Sequence, residues 1–308
     1  MKIGIVGPGA IGCLLAAYLS KAKEEVWVID YKKERAENIN KTGISLTGLS
    51  GEWHCSPKAR SDVKGIGIAD LAILCVKSYD TRAAIAHSKP LIGENTSVLT
   101  LQNGIDNIEI ISEAIGGKNI IAGVTNMGAT LLDTGKTKHA GKGETIIGRV
   151  DGKITAEMRS IRELFNKVGL EMRISKDIKP LLWSKLIINS GINALTAITG
   201  LKNGRLTEFE GSRRILREAV TEATRIVKRK RIKLIYDDPL AKVEAVCEAT
   251  AENTSSMLQD VLGKKRTEID FINGVIVRLG QELGIPTPTN TMLVDLVKTI
   301  EASYNLSL

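Results

Sequence analysis

Apolar positions fall in short, nearly unbroken runs along the first half of the chain and at helical spacing along the second. Ile3, Ile5 and Val6 form the first run, which Gly7-Pro8-Gly9-Ala10-Ile11-Gly12 turns into the helix-like stretch Cys13 to Leu19. Glu25 to Asp30 is a second run ending on an acid, Ala69 to Lys77 a third ending on a lysine, and Ser97 to Gly104 a fourth running into Gln102 and Asn103. Runs of this kind predict strands of a parallel sheet, buried on both faces. The alternating segment Ile44 to Ser56, with Gly48, Gly51 and Pro57 close by, predicts a small hairpin set into that sheet. Ile120 to Val124, Gly128 to Leu132 and Glu144 to Gly148 read as further strands that complete one sheet through turns at Gly135 and Gly141. Thr155 to Val168 places Met158, Ile161, Leu164, Phe165 and Val168 on one helical face.

Strand patterns stop near Ser175. The expectation is therefore an α/β, Rossmann-type dinucleotide-binding domain over residues 1–175 and an all-helical domain over 176–308. The helical part begins with Ile178 to Leu195, whose otherwise apolar surface carries Lys185, Asn189 and Asn193 at i, i+4 and i+8. These three share one stripe. A buried amide without a partner costs about 1–3 kcal/mol, so a narrow polar strip among Leu182, Trp183, Leu186, Ile187, Ile188 and Ile192 points to a polar ligand. Further helices are predicted over Glu208 to Lys230, Pro239 to Ala251, Lys264 to Leu283 and Thr289 to Ala302. Glu268 falls within the third of these, and Asn253-Thr-Ser-Ser256 has the composition of a helix cap.

The strand, glycine turn and helix at the start form a dinucleotide-binding pattern with its required context. Gly7 permits the tight turn, Gly9 lets backbone approach a pyrophosphate, and Gly12 lets helix and strand pack closely. Asp30, 23 residues after Gly7, stands where a carboxylate meets the adenosine ribose of NADH, whereas Lys32 and Lys33 suit the 2′-phosphate of NADPH. Lys77 and Asn103 end strands at the sheet edge where ligands of open α/β folds gather.

Composition narrows the class. The chain has 308 residues, 43% hydrophobic and 25% charged, enough for two domains with substantial cores. No signal-peptide pattern and no run of about eighteen apolar residues is read in it, which suggests a soluble protein of the cytoplasm with no membrane partner. Cys13, Cys55, Cys75 and Cys247 lack paired spacing and read as packing residues. His54, His87 and His139 sit in loop-like contexts, and no metal site is expected. The net charge of +8 favours anionic ligands. Its densest cluster, Lys228 to Lys233, reads as a solvated helix end rather than a nucleic-acid surface.

Taken together, GPGAIG (7–12), CVKS (75–78), LQNG (101–104), WSKLIINSGINAL (183–195), TSSMLQD (254–260) and TEIDFINGVIV (267–277) resemble the successive motifs of the ketopantoate reductases. The resemblance covers essentially the whole chain. It implies reduction of ketopantoate to pantoate with NADPH, on the way to pantothenate and coenzyme A. Lys185 then matches the catalytic lysine and Glu268 the glutamate of the catalytic site. Asn103 matches an amide touching cofactor and substrate, Lys77 a lysine at the cofactor edge, and Asn189, Asn193, Asn203 and Ser256 substrate positions. Asp30 departs from the cation that many members carry there, which leaves NADH open beside NADPH. Hydride addition to a ketone builds negative charge on oxygen, and an ammonium such as Lys185 is suited to protonate it. A cleft between sheet edge and helices would exclude water during transfer. A reductase of another branched 2-oxo acid and a non-catalytic nucleotide sensor are the alternatives, and a homodimer through the helical domain is expected.

Overall fold

The apolar runs of the first half become strands of an eight-stranded sheet. In the computed structural model, which describes residues 1–306, the order is β1 (Lys2–Val6), α1 (Ala10–Lys21), β2 (Glu25–Ile29), α2 (Lys33–Thr42), β3 (Ile44–Gly48), β4 (Trp53–Cys55) and β5 (Lys58–Arg60). There follow β6 (Leu71–Leu74), α3 (Thr81–Ser88), β7 (Ser97–Thr100), α4 (Asn107–Ile115) and β8 (Ile120–Thr125). The first unit closes with β9 (Gly128–Asp133), β10 (Lys136–Gly141), β11 (Thr145–Gly148), α5 (Ala156–Lys167) and β12 (Met172–Ile174).

The main sheet runs β12-β11-β8-β7-β6-β1-β2-β5, and its neighbours are parallel except for the β8–β11 pair. From β5 to β8 this is the doubly wound dinucleotide-binding order. Side-chain period two explains the unbroken apolar runs: on β6, Leu71 and Ile73 join the core with α1 and α5, while Ala72 and Leu74 join the one with Ile85 of α3 and Ile111 of α4. Thr155 caps α5 by accepting from the Met158 amide.

Two expectations need correction. The hairpin β3–β4 is not set into the main sheet, and β9 does not help to complete it. With β10 they form a separate four-stranded sheet, β4-β3-β10-β9. The physical reason lies in β10, which buries Thr137 and His139 and exposes its lysines, and which pairs with β3 on one side and β9 on the other. The histidines likewise leave their expected loops, with His54 in β4, His87 in α3 and His139 in β10.

Residues Asn103–Ile105 and Lys179 onward form the second compact unit, and Met1–Gln102 with Asp106–Ile178 the first. The second is helical: α6 (Lys179–Thr199), α7 (Glu210–Arg229), α8 (Pro239–Ala249), α9 (Ser256–Leu262), α10 (Asn273–Leu283) and α11 (Pro288–Ala302). Its core is organised on α6, where Gly191 lets helices come close; a Cβ there would stand 2.8 Å from Val220 of α7 and 3.2 Å from Val243 of α8. By length and hydropathy α6 matches a membrane-spanning helix, yet 67% of that stretch is buried inside the protein.

Candidate active site

In the first unit, chemistry gathers at the carboxyl edge of β1, β2 and β6. Gly7 has φ +94°, and a Cβ on it would meet Val76 at 2.6 Å. A Cβ on Gly12 would lie 2.1 Å from the Gly7 carbonyl oxygen, so the start of α1 can fold back on β1 only with glycine here. Among the described residues, nothing lies within 4 Å of the position a Gly9 Cβ would take. Open space therefore faces the loop at the residue where backbone must approach phosphate. No side chain caps α1 and no acid sits in its first turn, leaving its N-terminal dipole for an anion. The loop thus fits a dinucleotide pyrophosphate.

Asp30 follows β2 and is almost fully buried. One carboxylate oxygen accepts from the Lys32 amide at 3.0 Å and the other from Arg35 Nε at 2.5 Å. Arg35, on the first turn of α2, is partly exposed, and Lys32 is exposed. Sequence reasoning missed Arg35; a cation five residues beyond the acid was the available signal. Lys77 precedes a 3-10 turn, Ser78–Asp80, at the edge that follows β6. Gln102 stays in this unit, its Nε2 donating to the Val76 carbonyl at 2.9 Å and to Thr81 Oγ1 at 2.7 Å.

The second unit brings Lys185, Glu268 and Asn103 together. Asn103 Nδ2 donates to Glu268 Oε2 at 3.1 Å. The segment reaches Glu268 because Gly104, at φ +89°, lies against the Phe271 carbonyl, where a Cβ would be only 2.7 Å away. Glu268 is buried, and its place differs from the expected helix interior. It precedes a 3-10 turn over Ile269–Phe271, and α10 begins only at Asn273 after Ile272 adopts φ −113°, ψ −86°. Burial pushes the Lys185 ammonium from 10.5 down to about 8, against the opposing pull of the Glu268 carboxylate. A lysine so tuned donates its proton readily near neutral pH.

Asn189 and Asn193 follow Lys185 on α6, Asn189 half-buried and Asn193 buried. Asn203 opens a 3-10 turn, Asn203–Thr207. Its Nδ2 donates to Thr250 Oγ1 at 2.9 Å, while its buried Oδ1 has no partner among the described residues. Ser256 is the exposed first residue of α9. The capping role falls to Ser255, whose Oγ accepts from the Leu258 amide at 3.1 Å and lies 2.6 Å from Thr196 Oγ1 of α6.

Two family models match the chain in succession, ketopantoate reductase PanE/ApbA over residues 3–152 and its C-terminal region over 177–301. The chain belongs to the ketopantoate reductase family. Among curated members, the 2-dehydropantoate 2-reductase of Pyrococcus horikoshii is 38% identical over 98% of this chain and 98% of its own. That of Halobacterium salinarum is 32% identical over 97% and 98%. Among solved structures, a PanE/ApbA family ketopantoate reductase from Ralstonia eutropha superposes with a TM-score of 0.91 at 34% identity, covering 98% of this chain and 99% of its own. A D-mandelate dehydrogenase bound to NADH and anilino(oxo)acetate superposes at 0.92 with 28% identity, covering 99% of each chain. Between them the two family models match most of both units.

Proposed function

We propose that the chain is a 2-dehydropantoate 2-reductase, reducing ketopantoate to pantoate with a nicotinamide cofactor. The observation that carries this reading is Lys185, a lysine drawn down to about 8 on α6 within reach of the charge of buried Glu268, in a member of this family. The cofactor, when bound, supplies a hydride to the C2 carbonyl carbon. Lys185 gives its Nζ proton to the carbonyl oxygen as charge develops there. Glu268 keeps that ammonium charged despite its burial and holds the Asn103 amide. Asn189, Asn193, Asn203 and Ser256 are assigned to the substrate's carboxylate and hydroxyls, which they meet with neutral hydrogen-bonding groups. The glycine loop residues, Lys77 and Asn103 are assigned to the cofactor.

NADPH is favoured over NADH in this reading. The acid that would take the ribose hydroxyls, Asp30, already accepts from Lys32 and Arg35, and the same two residues bring cations to the end of β2. We place the enzyme in the cytoplasm as a homodimer through the helical unit, where Met292 and Leu296, one turn apart on α11, are 46% and 42% exposed. The test is oxidation of NADPH and NADH with ketopantoate, with pantoate identified as product, beside a panel of other 2-oxo acids. Preferred turnover of ketopantoate with NADPH supports the reading, and a larger kcat/KM on another 2-oxo acid overturns the substrate assignment.

A further inference from the structure

Behind the Lys185 helix runs a chain of buried polar side chains that no step above uses. Asn273, the first residue of α10, is fully buried and donates both amide hydrogens. One goes to the Ser190 carbonyl of α6 at 2.9 Å and the other to Asn290 Oδ1 at 3.0 Å. Asn290 near the start of α11, also fully buried, passes its own Nδ2 hydrogens to the Ala219 carbonyl at 3.1 Å and to Glu222 Oε2 at 2.7 Å. Glu222 of α7, 3% exposed, closes the chain by accepting from the backbone amides of Thr289 at 2.8 Å and Asn290 at 2.9 Å. Reversing either amide would set oxygen against oxygen, so the direction of donation is fixed.

The placement of this chain matters more than its stability. Ser190 lies five residues after Lys185 on the same helix, and Asn273 five residues after Glu268. The carbonyl of Ser190 follows directly on Asn189. Between Glu268 and Asn273 the backbone is not regular helix, so hydrogen bonds within α10 do not hold Glu268 in place. The Asn273 bond to the Ser190 carbonyl is a directed, buried tie between the start of α10 and the helix bearing Lys185. Hydrophobic contacts around Ile269 and Ile272 resist separation but specify register poorly, whereas two directed bonds at one buried amide specify it well. Asn273 Oδ1 is buried with no hydrogen-bond partner among the described residues, so the amide is held by its two donated bonds.

We infer that Asn273 is a positioning residue for catalysis, anchored through Asn290 to Glu222, which sets Glu268 against Lys185. The inference rests on the assignment of Lys185 and Glu268 as the catalytic pair. The test is a double-mutant cycle on kcat, with Asn273→Ala made in the wild type and in Glu268→Gln. In the wild type, Asn273→Ala is expected to lower kcat about 10- to 100-fold, the scale of an ångström-sized misplacement. The KM for NADPH should change far less than kcat, since the glycine loop and Lys77 belong to the other unit. In Glu268→Gln the same change should cost less than about threefold, because the group it positions is already disabled. Equal losses in both backgrounds overturn the positioning role while leaving the pair intact. Wild-type turnover in Glu268→Gln at about pH 8, where the wild-type lysine still holds its proton half the time, overturns the pair and the inference together. Should Asn273→Ala fail to fold, Asn290→Ser, one link further away, is carried through the same cycle with the same non-additivity expected.

Discussion

Glu268→Gln separates the two opposing influences on Lys185. Glutamine keeps the size of the side chain and an acceptor for Asn103 Nδ2, and removes only the charge. In the wild type, burial brings the lysine from 10.5 to about 8 although the carboxylate pulls the other way. An opposite charge in contact range accounts for roughly one to three pH units, so the variant's lysine should titrate at about 5–7. The proton donor is the ammonium form, and kcat/KM is therefore flat below this pKa and falls tenfold for each pH unit above it. At pH 7 a lysine titrating near 8 is ~90% protonated and one titrating near 6 only ~10%, a loss of about tenfold from titration alone. Initial rates of NADPH oxidation at low ketopantoate, measured from pH 5.5 to 9.5, should show the alkaline limb near 8 in the wild type and at least one unit lower in the variant. A limb that stays in place or moves up, or a loss equal at every pH, would refute the electrostatic role given to Glu268.

Gly104→Ala should damage site and stability together. A side chain at φ +89° with its Cβ 2.7 Å from the Phe271 carbonyl is strained, and about 1–3 kcal/mol of lost stability, read from a urea midpoint, should accompany a fall in kcat as Asn103 leaves Glu268. Arg35→Ala frees one oxygen of the Asp30 carboxylate and removes a cation. Fluorescence titration should find NADPH bound about 10- to 100-fold more weakly and NADH bound equally or better, whereas an unchanged ratio of the two dissociation constants would mean that Arg35 takes no part in selection.

Much of this molecule is legible in its residue order. The continuous apolar runs of β1, β2, β6 and β7 announce a parallel sheet because both faces of such strands are buried, and Gly7 and Gly12 meet steric demands of the loop that only glycine meets. The polar stripe on α6 is readable for the same local reason. Sheet membership is not local: β10, with sequence KTKHAG, has no apolar alternation, and pairing with β3 across about ninety residues of chain decides where the hairpin goes. Glu268 misleads because helical spacing continues through it, while the turn that places it depends on Gly104 packing against Phe271 from a segment distant in sequence. The same distance hides the tie between Asn273 and Ser190, and only the folded chain shows that Asp30 is already engaged by Arg35.

The most direct measurement is turnover of ketopantoate with NADPH by Lys185→Ala, run beside a fluorescence titration of NADPH on the same protein. A proton donor removed from a ketone reduction costs about 10²- to 10⁴-fold, so kcat should fall by at least two orders of magnitude while the NADPH dissociation constant stays within about twofold. Turnover within a few-fold of the wild type would contradict Lys185 as the acid, and with it the site described here.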